Sequence, residues 1–316
     1  MAKQLAFWQS VCELLVSGPV ILLLVVDKVG SSPGTVGAKM AVSERTAIGT
    51  IGGGVVEMTL LETARSAIAD GQRSAKLLFW KHQARSDDNA VGSICGGEQT
   101  VLLFPCQLKQ FPVFERLVKA CVTRESVCLR ITEQGLQCEP VNEGQPFQIF
   151  VAGENWCYRE IIGVRYRAYL IGGGHVSLAL SKLLDMLDFE ITVIDERAEL
   201  ATLAANEFAV EKRIMAYAQI AHAIPEGPNV FVFIMTQSYR TDETALLQLA
   251  GKSVAYVGLL GSRRKISIIQ QSLRQQLPEF TWQALHAPMG LMINSHTPEE
   301  IALSIAAQVV SILNVE

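Results

Sequence analysis

The sequence predicts an α/β protein of two domains, the C-terminal one built on a doubly wound parallel sheet. Three observations carry this. Residues 167–195, RAYLIGGGHVSLALSKLLDMLDFEITVID, read as a strand, a glycine turn, a helix and a second strand. Continuous apolar runs of strand length then alternate with helical periods to the C-terminus, as parallel strands covered on both faces require. A second glycine triplet, again after an apolar run and again opening a helix, stands at 52–54. A length of 316 residues gives a prior of about two domains. The boundary is placed near residue 165, giving a first domain with its linker over residues 1–165 and a second over 166–316.

In order along the chain, residues 5–16 carry an amphipathic helical pattern ended by Gly18 and Pro19, and residues 20–29 form the first core strand. The loop GSSPGTVGAKMAVSE follows, with Pro33, Gly34 and Gly37 as turn makers and residues 39–42 as a short returning strand. Residues 48–51 form a strand that runs into Gly52, Gly53 and Gly54, and a helix spans 55–70. Residues 77–80 read as a strand and 84–93 as a polar loop, after which Ile94, Cys95, Gly96 and Gly97 lead into a strand over 99–104. Residues 113–122 are helical, 127–132 extended, and 133–146 a polar hairpin or linker.

In the second domain a strand over 168–171 ends in Gly172, Gly173 and Gly174. From His175 the period becomes helical, with Val176, Leu180, Leu183, Leu184 and Leu187 on one face. Residues 191–194 form the next buried strand, closed by Asp195. A helix near 200–206, a strand over 230–235, a helix over 243–250 and a strand over 254–260 follow. Gly261, Ser262, Arg263, Arg264 and Lys265 then open a helix to about Gln276. The last helix carries its own start signal: Thr297 as cap, Pro298 in the first position and Glu300 completing a capping box, with Ile301, Ile305 and Val309 as its core stripe.

A net charge of −4 and a pI near 5.8 give no electrostatic reason to expect nucleic acid or an anionic membrane as partner. The apolar run 20–26 falls far short of the roughly 20 residues of a membrane-spanning helix. No secretory leader pattern is present, and the seven cysteines, odd in number and without a C-x-x-C pair, give the expectation of a cytoplasmic chain with reduced thiols.

Gly172 and Gly174 match the start of a dinucleotide-binding fingerprint, with Ser177 at the third glycine position. Glycines let a pyrophosphate approach the backbone, and the helix-start amides beyond them point unpaired N–H groups at an anion. Asp195 is spaced to grip a ribose and would repel a 2′-phosphate, an effect that Arg197 softens, so NAD or another plain-ribose nucleotide is expected in this Rossmann-like half. A turn with no ligand is the plainer reading. Thr236, Gln237, Ser238 and Asp242 follow one later strand and Ser262, Arg263 and Arg264 another, at the strand ends where such sheets bind ligands. The two arginines could clamp a phosphate or carboxylate, or simply form a solvated helix start. In the first domain Gly52, Gly53 and Gly54 make a second anion seat, with Ser31, Ser32 and Lys39 as polar neighbours across the loop and Glu57 favouring the helix dipole. Cys12, Cys121 and Cys128 lie in apolar segments as small hydrophobes. Cys95 sits at a glycine turn, where backbone amides could lower its pKa and free a thiolate as ligand or nucleophile; a structural cysteine is the alternative.

The blocks GSSPGTVGAKM, GTIGGGVVE, ICGGEQTVLLF, YLIGGGHVSLAL with VIDER, YVGLLGSRRK, and PMGL with TPEEIALSIAAQVV, in this order, resemble the XdhC/CoxI family over nearly the whole chain. The resemblance implies an N-terminal α/β XdhC-type domain, a C-terminal Rossmann-like domain, and the role of a xanthine dehydrogenase accessory protein. Such a protein binds the molybdenum cofactor (molybdopterin), protects it during sulfuration, with a cysteine desulfurase as partner, and inserts it into the apoenzyme of a molybdenum hydroxylase such as xanthine dehydrogenase. Carried over by position, Gly52, Gly53, Gly54 and Glu57 with Cys95, Gly96 and Gly97 become the cofactor candidates, Cys95 as a molybdenum ligand. Ser31, Ser32 and Lys39, and in the second half Gly172, Gly174, His175, Asp195, Thr236, Ser262 and Arg263, complete the cofactor-binding set. Glycine turns on both halves motivate the expectation that the cofactor lies between the domains, and a homodimer is expected. Gly34 replaces a frequent arginine of the family and Gln237 a frequent histidine, which removes a titratable group from the crevice.

Two other function classes fit parts of the pattern. A nicotinamide-dependent oxidoreductase rests on Gly172, Gly174 and Asp195 but finds no acid–base partner, because His175 lies inside the turn and His286 and His296 belong to no recognisable constellation. A nucleotide-binding regulatory protein would use the Rossmann-like half as a scaffold. No catalytic residue is assigned.

Overall fold

The computed structural model describes residues 2–30, 34–81, 97–141, 147–152, 155–277 and 284–314. The chain divides into two compact units, Met1–Val164 and Arg165–Glu316.

The first unit runs α1 Ala2–Ser17, β1 Val20–Val29, β2 Lys39–Val42, β3 Ala47–Thr50, α2 Gly54–Ala69, β4 Lys76–Lys81, β5 Glu98–Cys106, α3 Phe111–Thr123, β6 Ser126–Thr132, β7 Gly135–Pro140, β8 Phe147–Ala152 and β9 Asn155–Gly163. Five strands pair antiparallel in the order β3-β2-β1-β5-β4, and four in the order β7-β6-β9-β8. The apolar run of β1 shows no alternation because both of its faces are covered. Ile21, Leu23 and Val25 pack with Leu60 and Ala64 of α2, while Leu22, Leu24 and Val26 pack with Trp8, Phe114, Leu129 and Tyr158. Each such side chain contributes roughly 1.5–3 kcal/mol by burial.

Strands β8 and β9 have no counterpart among the sequence expectations, and of the segment read as hairpin or linker, Gly135–Pro140 is a strand paired with β6. In β9 Trp156, Tyr158, Glu160 and Ile162 alternate inward, and the acidic residue interrupts what would otherwise be an apolar period of two.

The second unit runs β10 Tyr166–Ile171, α4 His175–Met186, β11 Phe189–Asp195, α5 Ala201–Ala204, β12 Glu211–Ile214, β13 Gly227–Ile234, α6 Tyr239–Leu249, β14 Val254–Leu259, α7 Arg263–Gln276, β15 Leu285–His286 and α8 Pro298–Leu313. Its six strands are parallel, ordered β12-β11-β10-β13-β14-β15, with one apolar cluster on each face. This is the doubly wound α/β class expected from the sequence. Strand order reverses at β10, so the crevice at the carboxyl ends of β10 and β13 is the place where ligands bind in such sheets.

Several elements of this unit differ from expectation, β15 among them, which the sequence reading lacks. The helix near 200–206 is a single turn. Helix α6 starts at Tyr239 because Ser238 and Thr241 cap it reciprocally. Strand β12 has no apolar signature: EKRI is polar and mostly exposed, as an edge strand can be. The capping box of Thr297 and Glu300 opens α8 as expected. Among the described residues no helix is long and apolar enough to cross a membrane.

Candidate functional site

In the second unit the three glycines of the turn between β10 and α4 are held differently, and packing and backbone angle demand glycine most clearly at the first. Gly172 has φ +107, and a Cβ there would lie 2.5 Å from the Met235 carbonyl oxygen, so the passage of β10 beside β13 demands glycine. Gly173 presents its amide to Asp195. Gly174 has φ −74, which any residue adopts, and a Cβ on it would meet nothing within 4 Å. The fold itself therefore does not require glycine at 174. Gly174 is also the N-cap of α4 and offers no side-chain cap, which leaves the first amides of this helix, at the exposed His175 and beyond, open to an anion.

Asp195 does not stand open to a ribose. Its side chain is fully buried, and Oδ2 accepts the amide of Gly173 at 2.7 Å. Oδ1 accepts the Arg197 amide and Nε, each at 2.9 Å, and Arg197 Nη2 donates to Oδ2 at 2.8 Å. Burial alone would push the Asp195 carboxyl up, but the Arg197 guanidinium and the Gly173 and Arg197 amides outweigh it and hold the group below the ordinary carboxylate value. The ribose-gripping role expected from spacing finds no free acceptor in this arrangement. Arg197 reaches on to Gln237, with Nη1 donating to Oε1 at 3.1 Å. The buried hydroxyl of Tyr217 lies beside the pair and its ionisation is pushed up, first by burial and then by the Asp195 charge.

At the ends of β13 and β14, Thr236 donates to Asp242 Oδ1 through its amide at 3.0 Å and its hydroxyl at 2.5 Å. Lys265 forms an ion pair with Oδ2 of the same fully buried carboxylate. Ser262 caps α7 by accepting the Lys265 amide at 3.3 Å. Arg263 is exposed, with Nη2 3.3 Å from the Met292 sulfur. Thr236 and Ser262 thus serve the framework of this edge. The role of Lys265 is not legible in the sequence, since a cation in a run of three reads as a solvated helix start.

In the first unit the glycine turn before α2 is closed in the same manner as the one before α4. Glu57 turns back so that Oε2 accepts Thr50 Oγ1 at 2.6 Å, the Ile51 amide at 3.0 Å and the Gly53 amide at 2.9 Å. Burial works against ionisation, but the Thr50 hydroxyl and the amides prevail, and the carboxyl is held below its ordinary value. Gly53 and Gly54 have φ near +74 and +72, and neither position is crowded.

Lys39, expected as a polar neighbour of this turn, is engaged elsewhere. Its Nζ donates to Glu160 Oε1 at 2.7 Å and to the Gly37 carbonyl at 2.8 Å, and it lies over the Trp8 ring. Tyr158 donates to the other oxygen of Glu160 at 3.1 Å. The ion pair is almost wholly buried, so the lysine holds the unit together.

The motifs of this unit converge nevertheless. Val29 pairs with Glu98, so the loop after β1 and the loop before β5 leave from adjacent strand ends. A Cβ on Gly30 would lie 3.6 Å from Gly97 Cα. One on Gly34 would lie 2.5 Å from the Ile51 carbonyl oxygen and 2.6 Å from Gln99 Nε2, which itself donates to Ile51 at 3.2 Å. Glycine rather than arginine at 34 follows from that contact. Ser31, Ser32, Cys95 and Gly96 lie outside the described residues. Of the remaining cysteines, Cys106 is pushed by burial up to about 12, and Cys12, Cys128 and Cys138 are raised chiefly by burial too, as inert thiols are. Among the described residues no group of three or more histidine, cysteine or acidic side chains could hold a metal ion.

Comparison with known proteins agrees with this architecture. The family model described as "XdhC and CoxI family" matches residues 16–79, and that described as "XdhC Rossmann domain" matches residues 168–309. The protein YqeB of Escherichia coli (strain K12) is 27% identical over 300 residues, 94% of this chain and 44% of the relative. A probable xanthine dehydrogenase component of Bacillus subtilis (strain 168) is 28% identical over 145 residues, 46% of this chain and 42% of the relative. The chain thus spans less than half the length of either relative. The crystal structure of a xanthine dehydrogenase from Bacillus halodurans shares the fold, with a TM-score of 0.73 at 24% identity over 97% of this chain and 95% of that one. With one family match on each unit, the chain belongs to the XdhC/CoxI family.

Proposed function

We propose that this chain is an accessory protein for a xanthine dehydrogenase-type molybdenum hydroxylase, and that its first unit holds the molybdenum cofactor for delivery to the apoenzyme. The observation that carries this reading is the convergence, at one corner of the first unit, of Gly30 and Gly34, Ile51 and the glycine turn, and Gly97 and Gln99. These belong to three blocks far apart in sequence, in a chain of the XdhC/CoxI family whose Bacillus subtilis relative carries the name of xanthine dehydrogenase.

The turn at Gly53 and Gly54 fits one part of the cofactor. Neither glycine is crowded, and α2 begins there without a side-chain cap, so the amides of its first turn can receive the pterin phosphate. Because Glu57 already occupies the Gly53 amide, the amides after it are the ones that would hold the phosphate. Val55 and Met58, 61% and 65% exposed, supply apolar surface beside the turn. When bound, the cofactor supplies the redox-active molybdenum that the client enzyme uses. Cys95 is the thiolate proposed to meet the metal, since sulfur ligands suit it. A cysteine desulfurase as sulfur donor, a cytoplasmic location and a homodimer belong to the same reading.

Reconstitution with cofactor tests it. Wild type should retain pterin and molybdenum through gel filtration, and Cys95→Ala should retain less of both together, because the metal travels on the pterin's dithiolene. Equal molybdenum in both proteins removes Cys95 as ligand, and no retained pterin in wild type removes the function.

A second reading concerns the other unit, which we propose binds a nucleotide. It rests on Gly174, a glycine that neither backbone angle nor packing requires, at the uncapped start of α4.

A further inference from the structure

In a doubly wound sheet the ribose of a bound dinucleotide lies at the carboxyl end of the second strand, which is β11 here. That position holds a closed ion pair. Asp195 receives four N–H groups, one from Gly173 and three from Arg197. An ionised carboxylate has about four lone-pair sites, so a ribose diol would have to compete with the guanidinium for each oxygen.

Arg197 is differently placed. A guanidinium has five N–H groups, and in the observed contacts two of them meet Asp195 and one meets Gln237, on a side chain that is 38% exposed. Gln237 follows β13 while Arg197 follows β11, and β10 lies between those strands, so the arginine crosses the mouth of the glycine turn. Its partner there is a neutral amide, a weaker acceptor than an anion. A further buried group faces the same spot: Tyr217, 1% exposed, has a hydroxyl without a hydrogen bond of good geometry among the described residues, beside Asp195 and Arg197. Buried hydroxyls are ordinarily satisfied, and an open one marks a place where a partner is due.

We propose that Arg197, and not Asp195, is the side chain that reads the nucleotide in this unit, and that it takes a phosphate carried on the ribose, so that an NADP-type nucleotide is preferred over its plain-ribose counterpart. The inference rests on the nucleotide reading of this unit and reverses the preference expected from Asp195 in the sequence. On binding, Arg197 exchanges Gln237 for the phosphate and keeps Asp195, whose charge it already neutralises. A planar fork meeting a phosphate makes the stronger, charge-assisted bonds. With the Gly172 amide given to the Ile194 carbonyl and the Gly173 amide to Asp195, the Gly174 amide and the uncapped start of α4 receive the diphosphate.

The test is calorimetric titration of the full chain with NADP+ and with NAD+, each at low and at raised salt. The expected result is tighter binding of NADP+ by on the order of tenfold or more, with the advantage shrinking as salt rises. Arg197→Ala should abolish the preference. Because that variant also unpairs a buried carboxylate, Gln237→Glu supplies an independent arm: it keeps the arginine but gives it a charged partner to leave, and should lower NADP+ affinity while NAD+ affinity changes little. NAD+ binding as tight as NADP+ overturns the proposal and leaves the nucleotide reading standing. Binding of neither nucleotide overturns both.

Discussion

Asp195 Oδ2 sits 2.7 Å from the amide of Gly173, so the glycine turn that opens α4 is closed from within by the carboxylate at the end of the neighbouring strand. The turn before α2 has the same device, with Glu57 on Gly53 at 2.9 Å. In both places a residue that spacing alone assigns to a ligand or a helix dipole shapes the turn that a ligand would meet.

Removing Asp195 should therefore cost stability before it costs anything else. Asp195→Ala leaves the Gly173 amide and the Arg197 guanidinium without their charged acceptor, and hydrogen bonds to charged groups are each worth about 1.5–3 kcal/mol. Urea denaturation should show a loss of at least about 2 kcal/mol, with Asp195→Asn losing less. A change within about 0.5 kcal/mol would show that the pair is ornamental.

The same carboxylates set an acid limb. Asp195 and Glu57 are both held below their ordinary values in the folded chain. A depressed folded pKa gives stability that is present above the unfolded value and lost as pH falls through the folded one. Melting temperature should accordingly hold near neutrality, as far as these groups are concerned, and fall as pH drops below about 4.5. The double variant Asp195→Asn/Glu57→Gln should be less stable at pH 7 and show a shallower acid limb. An unchanged limb would mean that other carboxylates dominate it.

Gly172 and Gly174 should separate fold from binding. Gly172→Ala places a Cβ 2.5 Å from the Met235 carbonyl oxygen at φ +107, and should lower stability by more than about 2 kcal/mol. Gly174→Ala meets nothing and should stay within about 0.5 kcal/mol of wild type while losing nucleotide affinity. If Gly174→Ala binds nucleotide as wild type does, α4 does not receive the phosphate.

Lys39 should behave as a structural residue. Lys39→Met strands Glu160 in a buried site, a loss of about 3–5 kcal/mol for a broken buried pair. Adding Glu160→Gln should recover part of it. Full stability in Lys39→Met, with cofactor retention lost, would return the lysine to the binding site.

The doubly wound sheet is legible in the sequence because its strands are covered on both faces and announce themselves as apolar runs, as Leu170, Val193 and Phe233 do. β12 is not, since Glu211 and Arg213 pair with each other on an edge that buries little. The positions of the site residues can be read from spacing, but their partners cannot. Lys39 and Glu160 are 121 residues apart, and nothing local to the lysine shows that its charge is neutralised. Asp195 stands where a ribose-binding acid belongs, and only the tertiary fold shows that it faces Gly173 and Arg197 instead.

The most direct measurement of the central claim is the pterin and molybdenum content of the full chain purified from cells that make the cofactor and are grown with molybdate. An accessory protein of this kind should carry both, in proportion to each other, and surrender both to an apo-hydroxylase on mixing. A chain that emerges free of pterin under those conditions, and takes none up when cofactor is supplied, contradicts the account.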